Sequence, residues 1–246
     1  MDSPLFTAAS DFDMGRKMEW AGRSSHLGGI PRKLVFIAVG AFAKVVDTLL
    51  NSTSVHNAET LIRLVHSRPP GVPLITVSNH MSTLDDPLMW GFKEFPSADA
   101  KLARWVLAAE DICFKNVVLT YFFRLGKCIP IRRGAGIYQE HMNEALDRLS
   151  DGAWVMPEKS FFGRRPPFPL CNKDIKIVVG EPIDFDLPKL RQMAMSVSRD
   201  MSFRSSGWPM TSPHGLDEPA QRWLYTTISD RIRAIMEHLR CLAIQF

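Results

Sequence analysis

A histidine and a carboxylate stand five residues apart in the segment Asn79-His80-Met81-Ser82-Thr83-Leu84-Asp85. Imidazole takes and returns a proton near neutral pH, since its unperturbed pKa is about 6.5. A hydroxyl is a weak nucleophile until such a base removes its proton during attack on an acyl carbon. A carboxylate on the far side of the ring fixes the tautomer and stabilises the imidazolium that forms. His80 is therefore a candidate general base and Asp85 its candidate orienting partner. Asp86 is the neighbouring alternative, but it precedes Pro87 and suits the cap of a helix expected over 86–92. A His-x4-Asp pattern is short and frequent by chance. Its setting singles it out: an apolar strand, then Asn-His, then an acid at a helix start.

The elements around it follow from periodicity. Leu61, Ile62 and Val65 predict a helix over 57–67, ended by Pro69-Pro70-Gly71. The apolar run 72–77 predicts the strand that delivers His80. Further strands are expected over 104–108, 128–131 and 175–179, with another starting at 154–156. Helices are expected over 112–125, closed by Gly126 as a left-handed C-terminal cap, and over 137–150, ended by Gly152. Alternating strands and helices predict an α/β fold, with a mixed, largely parallel sheet flanked by helices. Sites in such sheets lie beyond the C-terminal ends of the strands, where Asn79 and His80 fall.

The flanks differ in character. Residues 1–30 are Ser/Gly-rich and expected to be flexible. The segment 31–52 holds ten consecutive apolar residues, 34–43, between Arg32-Lys33 and Lys44. That run is too short for a bilayer, which takes about 20 residues. It continues through Val45, Val46, Leu49 and Leu50, with Lys44 and Asp47 sharing a face. A membrane-associating helix with basic flanks fits this pattern, and so does a buried core helix. Residues 53–192 form the expected catalytic domain, 193–218 a Ser/Met-rich linker, and 219–246 a C-terminal amphipathic helix. That helix carries Leu224, Ile228, Ile232, Ile235, Leu239 and Leu242, and suits packing or partner contact.

Bulk properties narrow the partners. The chain has 246 residues and a formal net charge of +4, which suits an anionic lipid surface or an anionic cofactor. Nucleic acid is disfavoured, because no dense Lys/Arg run or recognition motif occurs. Cys113, Cys128, Cys171 and Cys241 show no ligand spacing and are expected to be reduced thiols. With no His-Glu-x-x-His either, no metal and no cofactor is expected. Asp2, Asp11, Asp13 and Glu19 argue against a secretory signal and against a mitochondrial presequence. Ser78 and Ser82 flank His80, but without a Gly-x-Ser-x-Gly elbow a hydrolase is disfavoured.

Asn-His-x4-Asp after a short apolar strand resembles the first motif of the glycerolipid and lysophospholipid acyltransferase family. That family's second motif, a glycine, an apolar strand and an arginine, is similar to Gly126-Lys127-Cys128-Ile129-Pro130-Ile131-Arg132-Arg133-Gly134. The wording resembles the tafazzin subgroup, through Asp85-Asp86-Pro87-Leu88-Met89-Trp90-Gly91 and Gly134-Ala135-Gly136-Ile137-Tyr138-Gln139. The resemblance covers about 15–156 and resumes near 175–185. It implies a glycerol-phosphate acyltransferase-like fold and transfer of a fatty acyl chain onto a lysophospholipid hydroxyl. The donor would be acyl-CoA or another phospholipid. His80 would be the base and Asp85 its partner, with Asn79, Gly126 and either Arg132 or Arg133 at the substrate. A guanidinium suits the phosphate, which it can bind bidentately; the other reading of the arginine pair is a solvated strand end. The resemblance also implies a peripheral place on a membrane, mitochondrial by likeness to tafazzins.

The pattern then breaks. The family's third motif is Phe-Pro-Glu-Gly after a Gly-x-Trp strand. Asp151-Gly152-Ala153-Trp154-Val155 arrives on schedule, but Met156-Pro157-Glu158-Lys159 follows. Glu158 holds the acidic position of an interrupted motif, and the family's next elements are unrecognisable before Asp174. Either a shortened form joins 155 or 156 to a downstream segment, or a Pro-rich loop replaces the elements. Losing inner strands exposes sheet edges. The alternative function is thus a truncated, catalytically impaired form that only binds membrane or partners.

Overall fold

A computed structural model describes residues 18–79, 85–136, 138–157, 171–198 and 215–245. The chain divides into two compact units, 1–177 and 178–246. In chain order the first unit runs α1 (Ile30–Val45), β1 (Ser52–His56), α2 (Ala58–His66), β2 (Leu74–Ile75), α3 (Asp85–Leu88), β3 (Trp105–Ala109), α4 (Glu110–Cys113), α5 (Val117–Leu125), β4 (Cys128–Ile131), α6 (Glu140–Ser150) and β5 (Trp154–Met156), and β6 (Asp174–Val178) ends at the boundary between the units.

Four strands form a parallel sheet in the order β2-β5-β3-β4. This is the helix-flanked parallel α/β architecture that the alternation of elements predicts. Central β3 is buried along its whole length, so it reads as an unbroken apolar run rather than an alternating one. Its side chains still alternate between faces. Trp105 and Leu107 pack with Ile129, Val155 and Ala145 of α6. Val106 and Ala108 pack on the other face with Phe114 and Cys128, beside Phe123 of α5.

Several boundaries depart from expectation. The helix predicted over 112–125 is two helices. Asn116 restarts it, its Oδ1 accepting the Leu119 N–H at 2.9 Å, as an N-cap does. The strand predicted over 175–179 lies outside the main sheet and pairs with β1, an unpredicted strand. The helix predicted over 86–92 stops at Leu88. The chain turns there to bring Trp90 and Phe95 onto Trp154, with ring centroids 5.0 and 6.1 Å away. Gly91 permits that turn, since a Cβ there would lie 2.4 Å from the Ala43 carbonyl oxygen of α1. Within the expected flexible stretch 1–30, Ala21 is fully buried and His26 shares a 3.0 Å hydrogen bond with Tyr121; residues 1–17 lie outside the described residues.

Helix α1 buries Phe36, Gly40 and Ala43 but leaves Ile30, Leu34, Ile37, Phe42 and Val45 exposed. Lys44 and Asp47 do share a face, but it points inward. The Lys44 ammonium donates to the carbonyls of Phe92, Lys93 and Phe95 at 3.2, 2.9 and 2.9 Å. Asp47, in the wide π-type turn Val46–Leu50 that continues α1, is 1% exposed. Neither of its carboxylate oxygens has a hydrogen-bond partner among the described residues, because the facing Gly91 N–H is given to Leu88. Burial pushes this carboxyl up from 3.8 to about 6, against the pull of Gly91 and Lys44.

Between those values the folded state keeps a proton that the unfolded chain has lost. Asp47 therefore costs stability as pH rises through 6, and nothing below the ordinary value. Asp47→Asn is expected to stabilise the protein at pH 7 by at most about 3 kcal/mol, at about 1.4 kcal/mol per pKa unit. The gain should vanish towards pH 4. Thermal melts of both proteins at pH 4, 5.5 and 7.5 check this, and a gain constant across that range would disprove it.

The second unit contains α7 (Leu187–Ser198) and α8 (Glu218–Gln245). Ala194 of α7, Leu216, and Ala220 and Leu224 of α8 form its core. The first part of the stretch expected as a linker, 193–198, is therefore helical, because Ala194 is completely buried in that core.

Candidate active site

Parallel pairing sends every strand of the sheet out of one edge. Leu74 and Ile75 of β2 pair with Trp154 and Val155, and Val155 also pairs with Trp105. Ala109 pairs with Ile131. Past those last residues the chain carries Thr76 to Asn79, Pro157, Glu110-Asp111 and Arg132-Arg133. Asn79 lies four residues beyond Ile75, the last paired residue of β2, on the edge where β3 and β4 also end. Asn79 is exposed. His80 and residues 81–84 lie outside the described residues, and so does Glu158.

The two neighbouring aspartates differ in their surroundings. Asp86 Oδ1 accepts from Arg104 Nε at 2.8 Å and from Trp90 Nε1 at 3.2 Å. Arg104 also donates to the Asp86 carbonyl at 3.1 Å and covers the Trp90 ring at 4.7 Å. Asp86 thus fastens α3 to the start of β3. Asp85, half-buried, opens α3, and its carbonyl accepts the Met89 N–H at 2.8 Å.

Both arginines of the second motif meet acids. Arg132 Nε donates to Glu110 Oε2 at 2.9 Å. Arg133 grips Asp111 through Nε at 3.1 Å and through Nη2. The hydrogen bond from Arg133 holds the Asp111 carboxyl below its ordinary pKa. The Arg132 backbone is fixed as well: its N–H donates to Gln139 Oε1 at 2.8 Å, and Gln139 Nε2 returns a bond to its carbonyl at 2.9 Å. The β3–β4 register makes these pairs, placing residues 110–111 beside 132–133.

Gly126 is not the left-handed cap that the sequence predicts. Its φ is −72°, and the positive φ, 61°, falls on Lys127. Gly126 continues the last turn, its N–H donating to the Phe122 carbonyl at 3.0 Å. The reversal at Lys127 sends its ammonium inward to the Ala103 carbonyl at 2.7 Å, and that burial sets its backbone.

Glu110, Asp111 and His141 escape a reading by motif. Two acids directly after an apolar strand were the available signal for the first pair. His141 sits in the first turn of α6, half-buried. Burial, then the charge of Arg124, lowers its pKa below 6.5, against the pull of Glu110, Glu144 and Glu140. A neutral imidazole is therefore favoured on this edge.

The family model described as Acyltransferase matches residues 52–158, the stretch that carries this edge. A protein of Arabidopsis thaliana named N-acylphosphatidylethanolamine synthase is 51% identical, in a match taking in 94% of this chain and 99% of that protein. The chain is an enzyme of the acyltransferase family. Drosophila melanogaster tafazzin is 45% identical over 50% of this acyltransferase and 33% of its own length. A Dictyostelium discoideum protein named taffazin is 42% identical over 51% of this chain and 45% of its own. The tafazzin likeness thus holds across half of the acyltransferase, and the Arabidopsis likeness across nearly all of it.

Proposed function

We propose that this acyltransferase moves a fatty acyl chain onto a glycerophospholipid acceptor at a membrane surface, with His80 as general base and Asp85 orienting it. The acceptor group this reading favours is the amine of phosphatidylethanolamine. The observation that carries it is the match spanning 99% of a protein named N-acylphosphatidylethanolamine synthase. The ammonium first loses one proton to water, which exposes the nitrogen lone pair. As the amine attacks the donor carbonyl, His80 takes a second proton from nitrogen, the C–N bond forms, the C–S or C–O bond of the donor breaks, and the thiolate or lysophospholipid alkoxide leaves with that second proton. The donor is an acyl-CoA or a second phospholipid, and Arg132 and Arg133 suit the phosphate of donor or acceptor.

Helix α1 supports the membrane setting. Ile30, Leu34, Ile37, Phe42, Val45 and Leu49 recur along its outer side, and all are exposed. An apolar stripe turned outward fits an interfacial helix with its apolar face in the lipid. No helix among the described residues is long and apolar enough to cross a membrane.

The tafazzin matches favour a second acceptor, a lysophospholipid hydroxyl, through the same base chemistry. The shortened-form reading also has support. The Arabidopsis match runs over 281 positions, yet 94% of 246 residues is about 231, leaving some 50 positions without counterpart here.

One assay separates these readings. Purified enzyme receives a radiolabelled acyl donor in vesicles holding phosphatidylethanolamine and a lysophospholipid. An alkali-stable amide product is expected. Ester alone would shift the reaction to the hydroxyl. A folded, vesicle-bound protein yielding neither product would refute acyl transfer and favour the shortened, non-catalytic form.

A further inference from the structure

We infer that Glu110 and Asp111 read the ammonium of a zwitterionic phospholipid head group whose phosphate is taken by Arg132 and Arg133. This rests on the acyl-transfer reading and narrows its substrate class. A site built for phosphate alone has no use for two carboxylates against its guanidiniums, because like charge repels the incoming anion. Among the described residues Arg132 meets Glu110 at 2.9 Å and Arg133 meets Asp111 at 3.1 Å. The four groups sum to no net charge, laid out as an acidic row after β3 beside a basic row after β4. Neighbouring strands lie about 4.8 Å apart, a span comparable with the two-carbon linker between phosphate and amine in an ethanolamine head group.

The pairs are open to exchange. The Arg132 and Glu110 side chains are 62% and 27% exposed, and those of Arg133 and Asp111 28% and 57%. Exposed ion pairs add only about 0–1 kcal/mol to stability, so the fold does not depend on them. A zwitterion exchanges both partners at once, each guanidinium trading carboxylate for phosphate and each carboxylate trading guanidinium for ammonium. An anionic head group without an amine satisfies the arginines and strands the acids.

Strand order adds a direction. Across the edge the sequence is β2, β5, β3, β4. The acids after β3 therefore lie between the arginines and the strand that leads to His80. A head group with its phosphate on the arginines turns its ammonium towards the β2 side of the edge.

The test uses soluble head groups, which avoid differences in membrane partition. Binding of glycerophosphoethanolamine and glycerophosphoglycerol to the full chain is measured by saturation-transfer NMR, independently of turnover. Both are also tested as inhibitors of acyl transfer. The wild type should prefer the ethanolamine compound by roughly tenfold, about what one charge-assisted hydrogen bond supplies. Glu110→Gln with Asp111→Asn should bring that ratio near one by weakening the ethanolamine compound alone. If the double variant misfolds by circular dichroism, Asp111→Asn alone should lower the ratio severalfold. A wild type without preference, or a folded variant with an unchanged ratio, overturns the inference. Preferential binding without acyl transfer would overturn the catalytic reading and leave head-group recognition standing.

Discussion

Asp85→Asn and His80→Ala should each lower acyl transfer by about 10²–10⁴-fold, the range for loss of a general base or of the carboxylate that holds its tautomer. Both variants should melt like the wild type. Asp86→Asn should do the opposite. Asp86 accepts from Arg104 and from the Trp90 indole, and the Arg104 side chain is 11% exposed. Neutralising that acceptor weakens charge-assisted bonds and costs about 2 kcal/mol, with transfer per folded molecule kept within a few fold of wild type. The contrast assigns the pair by chemistry, since the two acids are adjacent in sequence and equal in charge. Turnover with a labelled donor and melting by circular dichroism are measured together. Asp85→Asn turnover equal to wild type would remove Asp85 from the mechanism. Transfer lost in Asp86→Asn at unchanged stability would put Asp86 in its place.

The reasons that separate Asp85 from Asp86 are long-range, and that marks where the sequence stopped being legible. Apolar runs are read directly: β3, β4 and β5 fall within a residue of their expected places, because strands buried on both faces must be apolar throughout. Strand β1, Ser52-Thr53-Ser54-Val55-His56, carries no such signal, since its side chains are largely polar and none is fully buried. Conformational freedom predicts the reversal after α5 at Gly126, yet Lys127 takes it, with its ammonium buried against the Ala103 carbonyl. Arg104 and Asp86 are 18 residues apart, and the arginine–acid pairs at the sheet edge are 22 apart. Those contacts follow from strand register, which periodicity does not report. The inward turn of Lys44 and Asp47 was equally hidden. A helical pattern shows that two residues share a face, and only packing decides which face meets protein.

The wild type should gain stability between pH 7 and 10, and Lys127→Met should flatten that rise. The Lys127 ammonium is buried, donating to the Ala103 carbonyl at 2.7 Å, with the Phe36 and Trp105 rings each 6.0 Å from it. Around it stand Arg32 of α1, Arg104 before β3 and Arg148 of α6, opposed by Asp99. Burial, helped by the three guanidiniums, pushes its pKa down from 10.5 to about 7. Over that window the unfolded chain holds a proton that the folded enzyme has released. Stability therefore rises with pH from 7 towards 10.5 and is lost as pH falls through 7. At about 1.4 kcal/mol per unit the ceiling is about 5 kcal/mol, and the variant gives up about 1–2 kcal/mol with the bond to Ala103. Lys127→Met should thus melt higher than wild type at pH 6, and lower at pH 10, where the neutral amine keeps its bond to Ala103. Parallel stability curves across pH 6–10 would show instead that the amine stays charged in the fold. The crossing matters for function because Lys127 directly precedes β4, the strand that delivers Arg132 and Arg133. A buried amine at the start of that strand, its pKa lowered to about 7, ties the stability of the element that carries the proposed phosphate ligands to pH.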